Sequence, residues 1–371
     1  MTKAHQHPLE RVLESRIAII DGAMGTTIRT YGMTEADIRG ERFKDSKKDL
    51  KNNGDLFSLT QPQMICDIHR RFLEAGADII ETNTFGATSI TQSEFFVDDP
   101  RERGGRKDPE FYQKIIDDKF LGDLAWEINE QSARQCREWA DRVANATGRQ
   151  RFVAGAIGPL TVSLSNSPDA DDAGFRVVTF DQVKTAYAQE VRALIAGGVD
   201  LLLVETIFDS LNAKAALVAI RDVFDEDGLA ARHKELPVMI SAAVGRGGET
   251  MISAQTIEAF WNAVKHVKPL SIGLNCSLGP DLMYPFLSEL SEKADVAISC
   301  YPNAGLPNPL SETGFDLGPS DMARYLGEFA RGGLINIAGG CCGNTPEHIA
   351  AIAKALEGKA PRRLGPSEAA A

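Results

Sequence analysis

The chain has 371 residues, 43% of them hydrophobic and 25% charged, which is enough for one barrel-sized domain or two smaller ones. Its formal net charge of -12 argues against nucleic-acid binding and against a basic membrane-surface patch. No apolar run is long enough to span a membrane, and the N-terminus lacks the apolar core of a signal peptide. Six cysteines without a secretion signal indicate a reducing compartment, so we expect a cytoplasmic protein.

The first part of the chain predicts strands at 16–23, 77–85 and 152–159. Helices are predicted at 61–75 and 121–147. We expect residues 1–15 to form a short lead-in helix and residues 33–60 to form a polar loop. The charged stretch at about 92–120 is expected to be a solvated insertion, because long polar connections usually run over the surface.

The second part of the chain continues the same alternation. Strands are predicted at 200–207, 238–244, 271–276, 296–301 and 334–338. Helices are predicted at 181–197 and 210–224, with a last helix ending near Leu356. The tail at 361–371 is rich in small residues, and we expect it to be flexible.

Eight apolar strands alternate with helices between residues 16 and 360. This alternation favours a (β/α)₈ TIM barrel rather than an open doubly wound sheet. Continuous apolar runs between helices are typical of strands that are buried on both faces. No Gly-x-Gly-x-x-Gly fingerprint follows the first strand, and no phosphate-binding Gly-Lys-Ser/Thr loop is present. Both absences argue against a nucleotide-binding α/β fold.

Adjacent cysteines stand between glycines at the end of the last predicted strand. Cys341 and Cys342 follow the apolar run 334–338 and precede a predicted helix start, and Cys276 ends the sixth predicted strand. Ligands of such barrels bind at the C-terminal ends of the strands. Three thiolates meeting there could hold one Zn²⁺ and leave its fourth position open, which is typical of a catalytic zinc.

Other polar residues at strand ends allow a structural as well as a functional interpretation. They include Asp21, the run 81–84, Glu205 and Asn303. Asp21 with the following glycine could equally be a turn, and a structural ion pair could satisfy Glu205. A lone cysteine such as Cys276 is more often buried packing than a ligand. Packing is also the expected role of Cys66, Cys136 and Cys300, and no ligand role is expected for His69 or His348.

Several motifs, in one order along the chain, closely resemble the homocysteine-binding module of cobalamin-dependent methionine synthase. They are 21–26 (DGAMGT), 81–85 (ETNTF), 273–276 (GLNC), 301–307 (YPNAGLP) and 339–343 (GGCCG). The likeness runs from about Arg16 to Arg363. The same fold and zinc cysteines occur in betaine–homocysteine and S-methylmethionine–homocysteine methyltransferases, but the intervening segments are more similar to methionine synthase.

The resemblance implies zinc-dependent transfer of a methyl group to homocysteine, forming methionine. Matched position by position, the zinc thiolates correspond to Cys276, Cys341 and Cys342. Asn303 corresponds to a residue that can approach the zinc when substrate is absent. Only a thiolate is a good nucleophile, and zinc deprotonates a coordinating thiol, so the metal would activate the substrate sulfur.

The resemblance also implies which groups surround the amino-acid end of homocysteine. They correspond to Asp21, Gly22, Thr82 and Glu205. Asp21 and Glu205 would face the ammonium group. The backbone near Gly22 and the Thr82 hydroxyl would serve the carboxylate or form the pocket wall.

The methyl donor is where this sequence departs from the family pattern. Methionine synthases continue into folate, cobalamin and reactivation modules, whereas this chain ends at Ala371 and contains no Asp-x-His-x-x-Gly cobalamin signature. The loops at 247–251 and 160–163 also differ from the family. We therefore expect the homocysteine-activating subunit of a split enzyme, with methylcobalamin supplied by separate corrinoid- and folate-binding subunits. A stand-alone enzyme using betaine or S-methylmethionine, and a non-catalytic zinc or vicinal-thiol redox protein, are the alternatives.

Overall fold

The computed structural model describes residues 6–226, 236–311 and 314–364. Eight parallel strands form one sheet in which consecutive strands are neighbours and the last pairs with the first. They are β1 (Ala18–Ile19), β2 (Ile79–Glu81), β3 (Phe152–Ile157), β4 (Leu201–Ile207), β5 (Val238–Ala242), β6 (Ser271–Asn275), β7 (Ala297–Tyr301) and β8 (Ile337–Ala338). A bridge between Ile20 and Ile79 joins the first strand to the second. The predicted (β/α)₈ TIM barrel is confirmed, and each strand lies within its predicted range.

Helices surround the sheet. They are α1 (Pro8–Ser15), α2 (Met24–Thr30), α3 (Glu35–Arg39), α4 (Phe57–Thr60), α5 (Pro62–Glu74), α6 (Ser89–Phe96), α7 (Pro109–Asp117), α8 (Lys119–Thr147), α9 (Phe180–Gly197), α10 (Ser210–Phe224), α11 (Ile257–Val264), α12 (Pro280–Lys293), α13 (Pro319–Arg331) and α14 (Pro346–Leu356). Short 3₁₀ helices lie at Gly54–Leu56, Pro100–Arg103 and Lys265–Val267. Within the described ranges, none of the helices is both long and apolar enough to cross a membrane.

Side chains along the strands alternate between the barrel interior and the surrounding helices. In β4, Leu201 and Leu203 belong to the interior cluster, whereas Leu202 and Val204 belong to the larger core shared with the helices. Glu205 continues the inward series. The strand period therefore places this carboxylate inside the barrel at the C-terminal end of β4.

The opposite end of the barrel is closed by the lead-in helix α1. Leu9 and Leu13 of this helix are buried and belong to the same interior cluster as the inward-facing strand residues. Because this plug fills the N-terminal end, the open mouth lies at the C-terminal ends of the strands. The remainder of the lead-in, residues 1–5, lies outside the described residues.

Three segments differ from the sequence-based expectations. The expected loop at 33–60 contains α3 and α4, and a capping box between Thr34 and Asp37 begins α3. These helices of five and four residues are too short to show a helical period in the sequence. The expected insertion at 92–120 is exposed between α6 and α7, but α7 buries Tyr112 against the core.

The beginning of the expected flexible tail is anchored. Arg362 is only 5% exposed, and its guanidinium donates to the carbonyl oxygens of Ser291, Ala294 and Val296. Asn336 in turn donates to the Arg362 carbonyl oxygen at 2.7 Å. Arginine is usually exposed, so the composition of the tail did not predict that this side chain would be buried and hydrogen-bonded to backbone carbonyls. Residues 365–371 of the predicted tail lie outside the described residues.

Candidate active site

The three predicted metal ligands meet at the mouth of the barrel. The sulfur atoms of Cys276, Cys341 and Cys342 all lie within 4.8 Å of one another, with 3.9 Å between Cys276 Sγ and Cys342 Sγ. All of the cysteines in the described residues are free thiols. The cluster is one that could hold a metal ion, although Cys276 lies 66 residues before Cys342 along the chain.

The loop after β8 is held in place by backbone hydrogen bonds to the loop after β7. The Cys341 N–H donates to the Pro302 carbonyl oxygen at 2.8 Å, and the Ala304 N–H donates to the Cys342 carbonyl oxygen at 2.8 Å. The buried Asn344 side chain donates to both Pro302 O and Cys341 O at 3.0 Å. The two thiols therefore have a fixed backbone beneath them. Sequence reasoning missed Asn344, which lies next to the cysteine motif but belongs to no recognised pattern.

The glycines of the cysteine motif leave room for this packing. A Cβ atom at Gly340 would lie 2.1 Å from Asn344 Cγ. Gly343 has a φ of +83°, and a Cβ there would lie 2.6 Å from the Phe315 ring. Both positions therefore require glycine, one for close approach and the other for its backbone conformation as well.

Backbone strain is concentrated at the ends of β4 and β6. Thr206, next to Glu205, has a φ of +53°, and both Cys276 and Ser277 have a φ of +56°. Left-handed backbone is uncommon in non-glycine residues and is an outlier for a β-branched threonine. Strain of this kind is typical of functional sites where the surrounding structure fixes an unfavourable conformation.

Asn275 connects the two strained segments. Its Oδ1 atom accepts from the Thr206 N–H at 3.1 Å and from the Ser241 hydroxyl at 2.7 Å, and its Nδ2 atom donates to Thr206 Oγ1 at 2.8 Å. Asn275 immediately precedes Cys276, and Thr206 immediately follows Glu205. One buried amide thus fixes a thiol and a carboxylate relative to each other. The sequence did not indicate this role, since the contact spans 69 residues.

The three thiols share their ionisation. Hydrogen bonds from Cys276 and Cys341 lower the pKa of Cys342, whereas hydrogen bonds to Cys276 and Cys342 raise the pKa of Cys341. A thiolate on one sulfur therefore opposes ionisation of the others, and a bound divalent cation would reverse that opposition. A donor set of three soft sulfurs fits Zn²⁺.

Asn303 lies beside this cluster on the loop after β7. It is 6% exposed, and its Oδ1 atom has no hydrogen-bond partner among the described residues. The Asn303 N–H, by contrast, donates to the Leu278 carbonyl oxygen at 3.0 Å. The backbone is therefore fixed while a buried amide oxygen stays available as an acceptor or ligand.

A second cluster, of carboxylates, lies at the ends of β1, β2 and β4. Asp21 and Glu205 are 3% and 5% exposed, and Asp21 Oδ2 accepts from the Glu81 N–H at 3.1 Å. The other Asp21 oxygen, Oδ1, is buried and has no hydrogen-bond partner among the described residues. The structure thus brings together the predicted Asp21 and Glu205 and adds Glu81, to which the sequence gave no definite role.

The carboxylates in this cluster oppose one another's ionisation. Burial, with the charge of Cys276 as a further cause, raises the pKa of Glu205 to about 8. Burial and the charges of Glu205 and Asp21 raise the pKa of Glu81. Burial and the Glu205 charge also raise the pKa of Asp21, against the hydrogen bond from the Glu81 N–H. A cation entering this end of the mouth would favour the ionised forms of these carboxyl groups.

Thr82 and Gly22 border the carboxylates. The Thr82 hydroxyl accepts from the Ala156 N–H at 2.9 Å and lies 2.7 Å from the Thr84 hydroxyl, which donates to the Ala156 carbonyl oxygen at 2.6 Å. Thr82 must then donate to Thr84, so its proton is already used. A Cβ atom at Gly22 would lie 2.6 Å from the Asn344 carbonyl oxygen, so only glycine fits there.

The loop at 160–163 is tied to the start of α10. Burial alone would raise the pKa of Asp209, but hydrogen bonds from Ser163 and Ser165 lower it. Both hydroxyls donate to this carboxylate at 2.6 Å. The Asn212 side chain also donates to the Val162 carbonyl oxygen at 2.7 Å. This loop is therefore a fixed part of the mouth next to Glu205.

Exposed apolar side chains surround the mouth. Phe85, Met251, Leu306 and Leu310 are 47%, 56%, 41% and 96% exposed, on loops that follow β2, β5 and β7. Because these loops all follow the C-terminal ends of strands, the side chains lie on the same face as the thiols. We refer to these four residues as the apolar rim.

Comparison with known proteins identifies the family. The family model described as homocysteine S-methyltransferase matches residues 18–356, and the chain belongs to this family. It is therefore a methyltransferase, of a family whose substrate is homocysteine.

Solved structures share the fold over almost the whole chain. The homocysteine methyltransferase MmuM from Escherichia coli, in its oxidized form, has a TM-score of 0.66 at 18% identity, covering 94% of this chain and 99% of that one. Its metallated form gives 0.65 at 18% identity, with 94% and 99% covered. A methyltransferase from Methanosarcina mazei gives 0.51 at 9% identity, with 94% and 97% covered. At these identities the likeness establishes the fold alone.

Proposed function

We propose that this protein transfers a methyl group to the sulfur of homocysteine, forming methionine, with zinc held by Cys276, Cys341 and Cys342. The observation that carries the proposal is the placement of a three-thiol cluster and a carboxylate cluster at one barrel mouth. Homocysteine has a thiol at one end and an ammonium group at the other. The two clusters match those ends in chemistry.

The thiol cluster supplies the sulfur-binding half of the proposal. When bound, zinc lowers the pKa of a ligating thiol and orients its sulfur. Cys341 and Cys342 are fixed by the loops after β7 and β8, and Cys276 is fixed through Asn275. With three protein ligands, a fourth position stays open for substrate. The Asn303 Oδ1 atom has no hydrogen-bond partner in the part of the chain that the structure describes, which supports a role for this residue as a ligand in the absence of substrate.

The carboxylate cluster supplies the amine-binding half. An ammonium group entering between Asp21 and Glu205 would offset the burial and the neighbouring negative charges that raise their pKa values, and Glu81 would add a further negative charge. Asp21 Oδ1, a buried acceptor with no partner among the described residues, is the atom that such a group would satisfy. This selects an amino-acid thiol over a simple thiol.

Thr82 and Gly22 are proposed to shape the pocket rather than to carry charge. Since the Thr82 proton goes to Thr84, this hydroxyl serves as the pocket wall. The absence of a side chain at Gly22 lets the backbone after β1 approach closely, which leaves its N–H as the group to serve the substrate carboxylate.

We further propose that the methyl donor is methylcobalamin carried by a corrinoid-binding protein that works with a folate-binding one. The resemblance of the motifs to methionine synthase supports this donor. The apolar rim also supports a protein-sized donor, because exposed apolar side chains on one face are typical of interaction surfaces. On this proposal the protein acts in the cytoplasm.

A methyl-transfer assay with zinc-loaded protein tests the proposal. Homocysteine would be incubated separately with methylcobalamin, betaine and S-methylmethionine, and methionine would be quantified. We expect turnover with methylcobalamin only, loss of turnover in Cys342→Ala, and wild-type turnover in Cys66→Ala, whose thiol lies on the outer helix α5. Turnover with betaine or S-methylmethionine would identify a stand-alone enzyme, and no turnover with any donor would contradict the proposed reaction.

A further inference from the structure

A second polar cluster lies at the N-terminal end of the barrel, opposite the thiols. Asp78, just before β2, is fully buried and receives the Arg16 guanidinium at 2.7 and 2.9 Å. Its other contacts join strands: the side chain accepts from the Ile19 N–H at 2.9 Å, and its carbonyl oxygen accepts from the Phe152 N–H at 2.7 Å. This carboxylate therefore fixes the seam where the barrel closes.

The cations around Asp78 outnumber it. Besides Arg16, Arg149 lies 2.6 Å and Arg151 3.5 Å from Asp78 Oδ1. Arg151 is 5% exposed, and its Nε atom has no hydrogen-bond partner among the described residues. Burial and the neighbouring Arg149 charge lower the pKa of Arg151. One carboxylate thus faces three guanidinium groups, which leaves an excess of positive charge.

This excess borders a cavity. Arg16, Arg149 and Lys354 line a space of about 420 Å³, which we call the basal cavity, and Glu357 is the acidic residue in its lining. Small side chains leave the space open, among them Ala75, which follows α5, and Ala353 of α14. The volume is within the range of small-molecule sites. Its positive lining contrasts with the net charge of -12 of the whole chain.

We propose that the basal cavity binds a multi-oxygen anion of the phosphate class, either inorganic phosphate or a phosphate monoester. Guanidinium groups present planar pairs of donors that match phosphate oxygens. Asp78 already accepts from Arg16 and the Ile19 backbone, so an added anion would take the donors of Arg149 and Lys354 that the carboxylate leaves unused. The site lies at the end of the barrel opposite the thiols and makes no contact with the reacting atoms.

Titration calorimetry at constant ionic strength tests this site. The probes are inorganic phosphate and glycerol phosphate, with chloride as the reference salt. We expect saturable binding at one site per chain for at least one probe, and tighter binding of glycerol phosphate would identify a phosphate monoester as the ligand. Arg149→Gln should weaken binding about tenfold, because it removes a charged hydrogen-bond donor while leaving the pair between Arg16 and Asp78 intact.

The matched control is Arg324→Gln. Arg324 is also an exposed arginine, paired with Glu328 on α13, and it is not among the residues that line the basal cavity. It should bind both probes as the wild type does, and both variants should retain wild-type methyl transfer. Heat signals that do not saturate with either probe, or that are the same in Arg149→Gln and the wild type, would overturn the proposal. Thermal melts of both variants verify that a loss of binding does not reflect unfolding.

Discussion

The two halves of the barrel mouth bring like charges together in different ways. The thiol half consists of Cys276, Cys341 and Cys342, and the carboxylate half consists of Asp21, Glu81 and Glu205. The thiols lie on loops tied by backbone hydrogen bonds and by the Asn344 amide. The carboxylates lie at strand ends, and one of their buried oxygens has no hydrogen-bond partner within the described ranges. The first arrangement suits a cation that stays bound, and the second suits one that enters and leaves.

This difference follows from which parts of the structure hold the side chains of each half in position. Loop residues of the thiol half need external supports, and the strained Cys276 and Ser277 backbone shows how far those supports hold it from relaxed geometry. Glu205 and Glu81 need less support, since strand alternation already directs them inward. The thiol half should therefore respond to loss of single ligands by losing its metal, and the carboxylate half by losing substrate affinity.

The largest effect is expected from Cys342→Ala. Without a metal to ionise it, the homocysteine thiol is about 3% thiolate at pH 7. The smaller thiolate fraction lowers the rate of methyl transfer roughly 30-fold. Loss of sulfur positioning costs roughly another 100-fold. We expect kcat/KM to fall by about 3 × 10³-fold, the product of these two factors, and metal analysis to show loss of tightly bound zinc. Cys66→Ala is the matched control, and a zinc content in Cys342→Ala equal to that of wild type would refute the assignment of this ligand.

Glu205→Gln should affect substrate binding while leaving the metal in place. The substitution keeps the shape of the side chain and removes its charge, so an ammonium partner loses a charge-assisted hydrogen bond. We expect KM for homocysteine to rise roughly 10- to 100-fold with kcat changed much less. Zinc content should remain at the wild-type level.

The control for this variant is Glu258→Gln, which removes an exposed carboxylate paired with Lys293 on the outside of the barrel. It should leave KM and kcat unchanged. A large fall in kcat without a rise in KM for Glu205→Gln would mean that this carboxylate acts on the reacting sulfur instead of the ammonium group. In that case the division of the mouth into two halves would not hold.

The sequence could predict features that depend on local patterns, but not contacts between residues that are distant along the chain. The strand positions, the three thiols at strand ends and the inward Glu205 depend on short local patterns, and the sequence indicated all of these positions. The role of the thiols as metal ligands stays a prediction. The contact between Asn275 and Thr206 was not predictable, because it depends on the register between strands that are distant along the chain. Asn344 was missed for a related reason, since its partner Pro302 lies on another loop.

The misjudged segments show a second limit of the sequence. Helix α7 buries Tyr112 within a stretch whose composition is dominated by charge, and Arg362 is buried by backbone carbonyls. In both cases local composition predicts solvent exposure, but tertiary contacts bury the side chain. Average composition indicates where a segment lies only when no specific contact intervenes.

Asn275→Ala tests the connection between the halves. The variant removes the hydrogen bonds to Thr206 and Ser241, so both Glu205 and Cys276 lose a common support. Residues that orient metal ligands typically affect affinity 10- to 100-fold, so we expect zinc affinity to fall about tenfold and KM to rise by a similar factor. Chelator competition measures the first and steady-state kinetics the second. A change in only one of the two would show that the halves are independent.

The smallest effect is a pH-dependent shift in thermal stability. Glu205 and the buried Glu190 both have a raised pKa in the folded state, so the folded protein binds more protons than the unfolded chain. Their contribution to stability is therefore fully present below about pH 4.3 and is lost as pH rises, for Glu205 through about pH 8. An ammonium group at the mouth offsets the loss at Glu205 but cannot reach Glu190, which lies on α9.

Homocysteine should therefore raise the melting temperature of the zinc-loaded protein more at pH 8 than at pH 5.5, by roughly a few degrees. Glu205→Gln should remove this pH dependence of the homocysteine effect. Glu190→Gln should instead flatten the pH dependence of the unliganded protein and leave the homocysteine effect intact. Melting curves of the three proteins at both pH values, with and without homocysteine, decide the matter. If Glu190→Gln changed the homocysteine effect as much as Glu205→Gln does, the stabilisation by homocysteine could not be assigned to the mouth. The carboxylate half would then lose its proposed role as the ammonium site.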